Sequence, residues 1–484
     1  MADTQENLSL VDQCLISAKM ALDDSQKDHA IELLKEFVAQ VEKGGAAGLP
    51  NAAVFIHKRI QEIDDVVSGQ VNEVLHHPDF QKLEASWRGL QFLVANTECG
   101  ARLKLRLLNA TKKELLEDLE KALEFDQSSL FKKIYEEEYG TFGGHPYSCL
   151  MGDYEFSRAP QDQELLRKIS GVAAAAHAPF ISAADPKLFH METFESLSTP
   201  RDLSKLFESS DMAAWRSFRQ SEDARYVTLV LPHVLMRLPY GPETVPVEGL
   251  IFVEKVDGVD NSKFCWGNAA YALAQRITHA FATYGWTAAI RGVEGGGLVE
   301  ALPAYTFKSA DGDILLKCPT EVTITDRREK ELSDLGFIAL CHCKGTDYAA
   351  FFGGQTSQEP KVYNLADATA NANLSARLPY ILASSRFAHY VKSIMRDKIG
   401  SFMTKNEVST YLNDWIANYV LLNDGAPQTI KAQYPLREAR VDVEDIPGKP
   451  GSYRAIIYLR PHFQLEEFTA SIRLVATLPK PAGA

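Results

Sequence analysis

The residues with the most chemical potential lie in short, scattered stretches. Cys341-His342-Cys343, with Cys318 upstream, offers thiolate and imidazole metal ligands. Structural zinc sites use cysteine pairs at C-x2-4-C spacing. Here a histidine separates the two thiols, and on a strand only Cys341 and Cys343 would point the same way. They read as buried strand thiols. Gly292-Val293-Glu294-Gly295-Gly296-Gly297 could cradle a phosphate, because glycine lets backbone amides approach an anion. The run lacks the G-K-[ST] ending of a P-loop and the G-x-G-x-x-G order of a dinucleotide site. It reads as a flexible or tightly turning loop. His76-His77 would sit well at a helix C-terminus, with no third ligand at convincing spacing. Ser148, Cys149 and Ser182 stand in no nucleophile-elbow context. The carboxylates at Glu136 to Glu138 and Glu466-Glu467 lie in charge runs, where a solvated face is expected. No catalytic constellation, metal or cofactor is expected, and the chain looks built to assemble.

The elements that would position these groups follow from hydrophobic period. Leu8 to Leu22 reads as a short amphipathic helix with Leu8, Val11, Leu15 and Leu22 on one face. Ile31 to Glu42 repeats the pattern before the flexible break Gly44 to Pro50. Ala52 to Leu75 is a long helix with Ile56, Ile60, Ile63, Val67, Val71 and Val74 on one stripe. A second follows His77-Pro78-Asp79. Arg102 to Leu108 alternates basic residues with leucine and reads as a half-buried strand. Thr111 with Glu114 makes a capping box. Strands are expected at Tyr147–Tyr154, Pro179–Ala183, Tyr226–Leu231, Leu250–Glu254, Trp286–Arg291, Phe337–Cys343 and Asp347–Phe352. Helices are expected between them at Gln161–Ala176, from Asn268 to about Tyr284, and within Ile324–Leu335. The alternation is α/β in character. Two helices, Leu378–Ile399 and Asn406–Leu422, precede the C-terminal strands.

Tyr453–Arg460 and Phe468–Thr477 are rich in β-branched and aromatic residues. In the second, Phe468, Ala470, Ile472, Leu474 and Ala476 share one face. A terminal strand needs partners for its backbone, from its own sheet or a neighbour's. Pattern alone favours the last strand of its own domain over an arm that completes a neighbour's sheet.

Composition sets the class. A chain of 484 residues can hold two or three domains. A formal charge of -13 argues against non-specific nucleic-acid or anionic-membrane binding. No apolar run approaches the roughly 18 residues of a membrane span, and the N-terminus has no signal core, so a cytoplasmic protein is expected. Seven scattered cysteines fit reduced thiols.

Several long phrases resemble one family, the large subunit of the type VI secretion contractile sheath (TssC/VipB type). They are H-P-D-F-Q-K-L-E-A-S-W-R-G-L from His77, I-S-G-V-A-A-A-A-H-A-P-F-I-S-A-A from Ile169, P-V-E-G-L-I-F-V-E from Pro246, W-G-N-A-A-Y from Trp266 and P-T-E-V-T-I-T-D-R-R-E-K-E-L from Pro319. The C-terminal portion also resembles phage tail-sheath domains. The resemblance implies a mixed α/β, tail-sheath-like two-domain core with an N-terminal helical extension. Residues 1–50 would form helices and a linker, 51–320 an outer and middle domain, and 321–484 an inner domain with a strand-exchange arm.

The family resemblance further implies a small sheath partner (TssB/VipA type), neighbouring copies in a helical sheath, an Hcp-type inner tube, a baseplate, and a ClpV-type AAA+ unfoldase. The matching unfoldase-binding helix would use Leu10, Val11, Cys14, Leu15, Ala18 and Met20. The arm would use Phe468, Ala470, Ile472, Leu474 and Ala476, which reverses the preference drawn from pattern alone. Glu407 and Asp414 are the expected tube contacts, facing a basic tube surface. Such a protein would be structural and not an enzyme. Alternatives are the sheath of a phage tail-like injection particle and a nucleotide-binding hydrolase using Gly292 to Gly297.

Overall fold

The computed structural model describes residues 24–43, 52–309, 311–401, 403–448 and 453–465. They divide into two compact units. One takes the residues up to Leu75 together with Tyr240–Glu254, and the other takes the rest. The expected unfoldase-binding residues Leu10 to Met20 and the arm Phe468 to Thr477 lie outside the described residues.

The first unit contains helices α1 (Asp24–Lys43) and α2 (Ala52–Leu75). The apolar stripe read along α2 is there, yet Ile56, Ile60, Ile63, Val67 and Val74 remain between 38% and 62% exposed. The strand expected at Leu250–Glu254 does not form. Glu254 is buried instead and pairs with Tyr240: its N–H donates to the Tyr240 carbonyl, and its carboxylate accepts the Tyr240 N–H, both at 2.9 Å. The segment closes on itself through these two bonds and needs no ladder.

The second unit is built on a six-stranded sheet. Its strands are β1 (Leu150–Phe156), β2 (Phe180–Ala184), β3 (Val227–Leu231), β4 (Leu298–Val299), β5 (Phe337–His342) and β6 (Ala349–Phe351), in the order β1-β2-β3-β5-β6-β4. The first four in that order run parallel, and β6 is antiparallel to both its neighbours. The central strands are buried on both faces, as parallel strands are. Val227, Leu229 and Leu231, with Phe337, Ala339 and Cys341, point into one core cluster. Val230, Ile338 and Leu340 point into the opposite one. Strand period 2 thus feeds two cores. β5 and β6 lie beyond residue 320, so the sheet draws strands from both sides of that expected boundary.

Helices cover each face. α3 (Pro78–Ala95) starts with His77 as N-cap and Pro78 at the first turn. α4 (Lys112–Lys121) carries the Thr111–Glu114 capping box read from sequence. α5 (Pro160–Ala176) lays Leu166, Val172, Ala173 and Ala176 on the first core. Ala173 and Ala176, almost fully buried, allow close approach to the sheet. α6 (Ala270–Tyr284) places Ala270, Leu273 and Ile277 on the second core. Asn268 accepts the Ala270 N–H at 2.8 Å. α7 (Asp326–Asp334) leads into β5.

Two expected strands are absent here also. Arg102 to Leu108 is irregular, because its basic side chains are tied to the body. Lys104 Nζ lies 3.2 Å from His145 Nε2, and Arg106 pairs with the Glu138 carboxylate and the Tyr147 hydroxyl. Trp286 to Arg291 is irregular because Trp286 is drawn into a ring stack, 4.4 Å from Phe387.

After the sheet come α8 (Leu378–Asp397) and α9 (Lys405–Ala417), then β7 (Leu436–Asp445) and β8 (Tyr453–Pro461), which pair antiparallel. This C-terminal module has its own core of Trp286, Phe387, Val391, Val408, Leu412, Ile416, Leu436, Val441 and Val443.

Candidate functional site

The residues weighed for chemistry are mostly occupied by structure. Cys341 sits in the first core, where burial pushes its thiol well up. Ser182 is fully buried, and its hydroxyl reaches the carbonyls of Gly152 and Tyr154 at 2.8 and 2.7 Å. Burial pushes the Cys149 thiol up to about 12. His77 accepts the Asp79 N–H at 3.3 Å as a helix cap. Glu138 holds Arg106 and accepts the His145 N–H at 2.7 Å. The Gly292 to Gly297 run is a tight turn. Gly292 donates to Phe351 O at 2.6 Å, and Gly297 donates to Gly292 O at 2.8 Å. A Cβ at Gly296 or Gly297 would stand 2.3 or 2.6 Å from a backbone oxygen, so backbone crowding explains those two glycines.

Cys318 differs from the other buried thiols. Burial raises its pKa, but hydrogen bonding with His342 and the hydroxyls of Thr320 and Thr323 outweighs that and brings it down to about 7. His342 Nε2 reaches the Thr346 carbonyl at 2.8 Å. Sequence reading placed these two residues in one candidate set but for metal. Among the described residues, no cluster of three or more His, Cys, Asp or Glu side chains could hold a metal ion.

One charged cluster escaped the sequence reading. His233 follows β3, and its Nδ1 lies 2.5 Å from Glu321 while its Nε2 lies 3.0 Å from Glu155 on β1. Burial opposes a charge on this ring. The bonds to Glu155 and Glu321 overcome it and raise the imidazole to about 10. The other Glu321 oxygen accepts the Phe194 N–H at 2.9 Å. This is a charged rivet through the sheet body.

The C-terminal module carries the longest of the two-stranded sheets among the described residues. β7 and β8 form a sheet of only two strands, and such a pair is marginal by itself. α8 and α9 cover one face through the core named above. On the other, Arg454, Tyr458 and Arg460 are exposed, and Arg440 stacks over the Tyr458 ring at 4.8 Å. The outer edge of β7 is occupied by groups from its own chain. Asn413 on α9 donates to Val441 O at 2.8 Å and accepts Val441 N–H at 2.9 Å. Leu421 N–H donates to Leu436 O at 2.8 Å. Glu407 and Asp414 are both exposed on α9. Glu407 is also the third residue of a capping box, accepting the Thr404 N–H at 2.7 Å.

Comparison with known proteins agrees with this architecture. Residues 57–358 match the EvpB/VC_A0108 tail sheath N-terminal domain, and residues 367–478 match the EvpB/VC_A0108 tail sheath gpW/gp25-like domain. The type VI secretion system sheath protein TssC1 of Pseudomonas aeruginosa is 54% identical over 430 residues, covering 88% of this chain and 86% of that protein. Looser likenesses reach the sheath complex of an extracellular contractile injection system in its contracted state (TM-score 0.36, 8% identity, 64% of this chain and 68% of that one). Another is to a chain of the anti-feeding prophage baseplate (TM-score 0.34, 11% identity, 64% of this chain and 66% of that one). With two sheath-domain matches in tandem over most of its length and 54% of the 430 aligned residues identical to a sheath protein, the chain belongs to the type VI secretion sheath family of the TssC/VipB type.

Proposed function

We propose that the chain is the large subunit of a sheath that pairs with a small partner of the TssB/VipA type, polymerises with copies of itself around an Hcp-type tube, and contracts to drive the tube outward. The observation that carries this reading is the C-terminal module, which has two strands, an apolar face already roofed by helices, and 19 further residues beyond the described chain. A strand from Phe468 to Thr477 of a neighbouring copy would bring Phe468, Ala470, Ile472, Leu474 and Ala476 to that face. Each backbone bond nets only about 0.5–1.5 kcal/mol, so a whole strand is needed to hold neighbours together during sliding.

In this reading residues 1–50 present Leu10, Val11, Cys14, Leu15, Ala18 and Met20 to a ClpV-type unfoldase. Residues 51–320 belong to the outer and middle part, whose sheet is completed by β5 and β6 from beyond residue 320, and 321–484 also carry the inner module. Asp414 and Glu407 face a basic tube surface. Contraction draws on the packing of subunits, as a bistable assembly does, and not on catalysis by this chain. The sheath works in the bacterial cytoplasm, docked on a baseplate. Deleting Phe468 to Ala484 tests the reading. The heterodimer should purify normally and form no filaments in electron micrographs, whereas normal filaments from the truncated chain would refute it.

A further inference from the structure

Cys318 and His342, weighed from sequence as metal ligands, meet in the fold as a nucleophile and a base. Cys318 follows the hairpin of Thr306–Lys308 and Ile314–Leu316 and is only partly buried. His342 closes β5, and strand alternation turns it away from Cys341, which faces the first core. The imidazole hydrogen-bonds the Cys318 thiol. Its Nε2 lies 2.8 Å from the Thr346 carbonyl oxygen. A carbonyl can only accept, so Nε2 carries a proton and Nδ1 is left as the ring's acceptor. A turn holds that carbonyl in place, with the Thr346 N–H donating to Cys343 O at 3.2 Å. A thiol, a base within reach and a third group that orients the base are the parts of an activated nucleophile.

The surroundings favour the thiolate. The Thr323 hydroxyl donates to Cys318 Sγ at 3.4 Å, and Thr320 Oγ1 lies 3.2 Å from it. Thr320 is held in turn by donating to Val322 O at 2.9 Å. Lys317, the preceding residue, donates to Gly258 O at 2.9 Å and sits 4.8 Å from the Phe264 ring centre. These bonds bring the Cys318 thiol down to about 7 against the effect of burial, whereas burial pushes Cys149 and Cys265 up to about 12. The thiolate is the form that attacks a disulfide sulfur.

We infer that Cys318, with His342 as its base and the Thr346 carbonyl orienting that base, is a covalent modification site that takes a small-molecule disulfide of the glutathione class. His342 takes the Cys318 proton, and the thiolate attacks one sulfur of the disulfide. The new S–S bond forms as the old one breaks, and the departing thiolate leaves with that proton. Cys318 is oxidised, and one half of the small disulfide is reduced to a thiol. The adduct sits at the head of the strap that ties Glu321 to the sheet body. Along that strap Pro319 O accepts the Leu235 N–H at 2.8 Å, and the Glu321 N–H donates to His233 O at 2.9 Å. Modification therefore loads the segment that carries the charged rivet. The chemistry is independent of the sheath reading.

The full chain, incubated with oxidised glutathione at pH 7 and mapped by mass spectrometry, should carry the adduct at Cys318 and none at Cys149, Cys265 or Cys341. The deciding readout is the rate at Cys318 in the folded chain divided by its rate in urea, where the thiol is ordinary. At pH 7 a thiol at about 7 is about half ionised, against roughly 3% for one near 8.5, and by pH 9 the two fractions nearly converge. The ratio should therefore fall roughly tenfold from pH 7 to pH 9, whatever the access to the site. His342→Gln should flatten that fall, and should this variant fail to fold, the wild-type profile still decides. A ratio independent of pH, an adduct confined to the exposed Cys99 and Cys343, an unchanged profile in His342→Gln, or a Cys318–Cys343 disulfide in place of the adduct would each overturn the assignment.

Discussion

Replacing His233 by glutamine should cost the sheet body about 3–4 kcal/mol at pH 7, and the cost should fade as pH rises. The imidazole is raised from 6.5 to about 10 by its two carboxylates, against the effect of burial. A group raised on folding contributes stability that is complete below its unfolded pKa and lost as pH climbs through the folded one. At about 1.4 kcal/mol per pH unit, the span from pH 7 to about 10 gives roughly 4 kcal/mol. Independently, breaking a buried pair by removing one partner costs about 3–5 kcal/mol, because the other charge stays buried. Here that charge is Glu321, 5% exposed, which keeps only the Phe194 N–H. Urea unfolding of wild type and His233→Gln between pH 6.5 and 9.5 reads the difference directly, and subtraction cancels the other titrating groups. The gap should shrink from about 4 toward about 1 kcal/mol across that range. A constant gap, or one below about 1 kcal/mol at pH 7, would refute the charged-rivet account.

Phe387→Ala should cost about 3–5 kcal/mol, since the ring is fully buried and stacked on Trp286. Hydrogen exchange should accelerate in β7 and β8 while β2 and β3 stay protected. At neutral pH, Cys318 should alkylate ahead of Cys149 and Cys265, whose thiols burial pushes up to about 12. His342→Gln should slow Cys318, and an unchanged rate would show that His342 does not activate it.

The parts legible from sequence are those where local rules and tertiary packing agree. The Thr111–Glu114 box formed because both of its bonds are local. The alanine run of α5 meets the sheet because small residues at helical spacing have one use there. Leu436–Asp445 passed unnoticed as a strand, since six of its ten residues are charged and only one face is buried. The His233 rivet was invisible for a different reason: its partners lie 78 and 88 positions away, each in an ordinary context. Arg102 to Leu108 shows the opposite failure. Its alternation is real, but anchored cations produce it rather than a ladder. Trp286 likewise looked like part of a strand and is a ring for the C-terminal core. Glu407 was marked for its charge, and the helix uses that charge for its own first turn.

α8 explains why the joints of such an assembly should lie between chains. Its twenty residues span about 30 Å. Leu378 and Leu382 belong to a core of the sheet body, while Phe387 and Val391 belong to the core of the hairpin module. Between and beyond them the helix is fastened again. His389 donates to Ala176 O at 2.8 Å, and burial lowers its imidazole to about 4, keeping it neutral. The Lys392 ammonium sits 3.5 Å from the Tyr139 ring centre, and Arg396 reaches the carbonyls of Tyr139 and Thr141 at 2.6 Å. One helix thus serves two close-packed cores, and such cores switch between discrete arrangements more readily than they stretch. Sheet body and hairpin are therefore coupled through this one helix. In the proposed sheath, a change in spacing between neighbours would then fall on the segments that join one chain to the next.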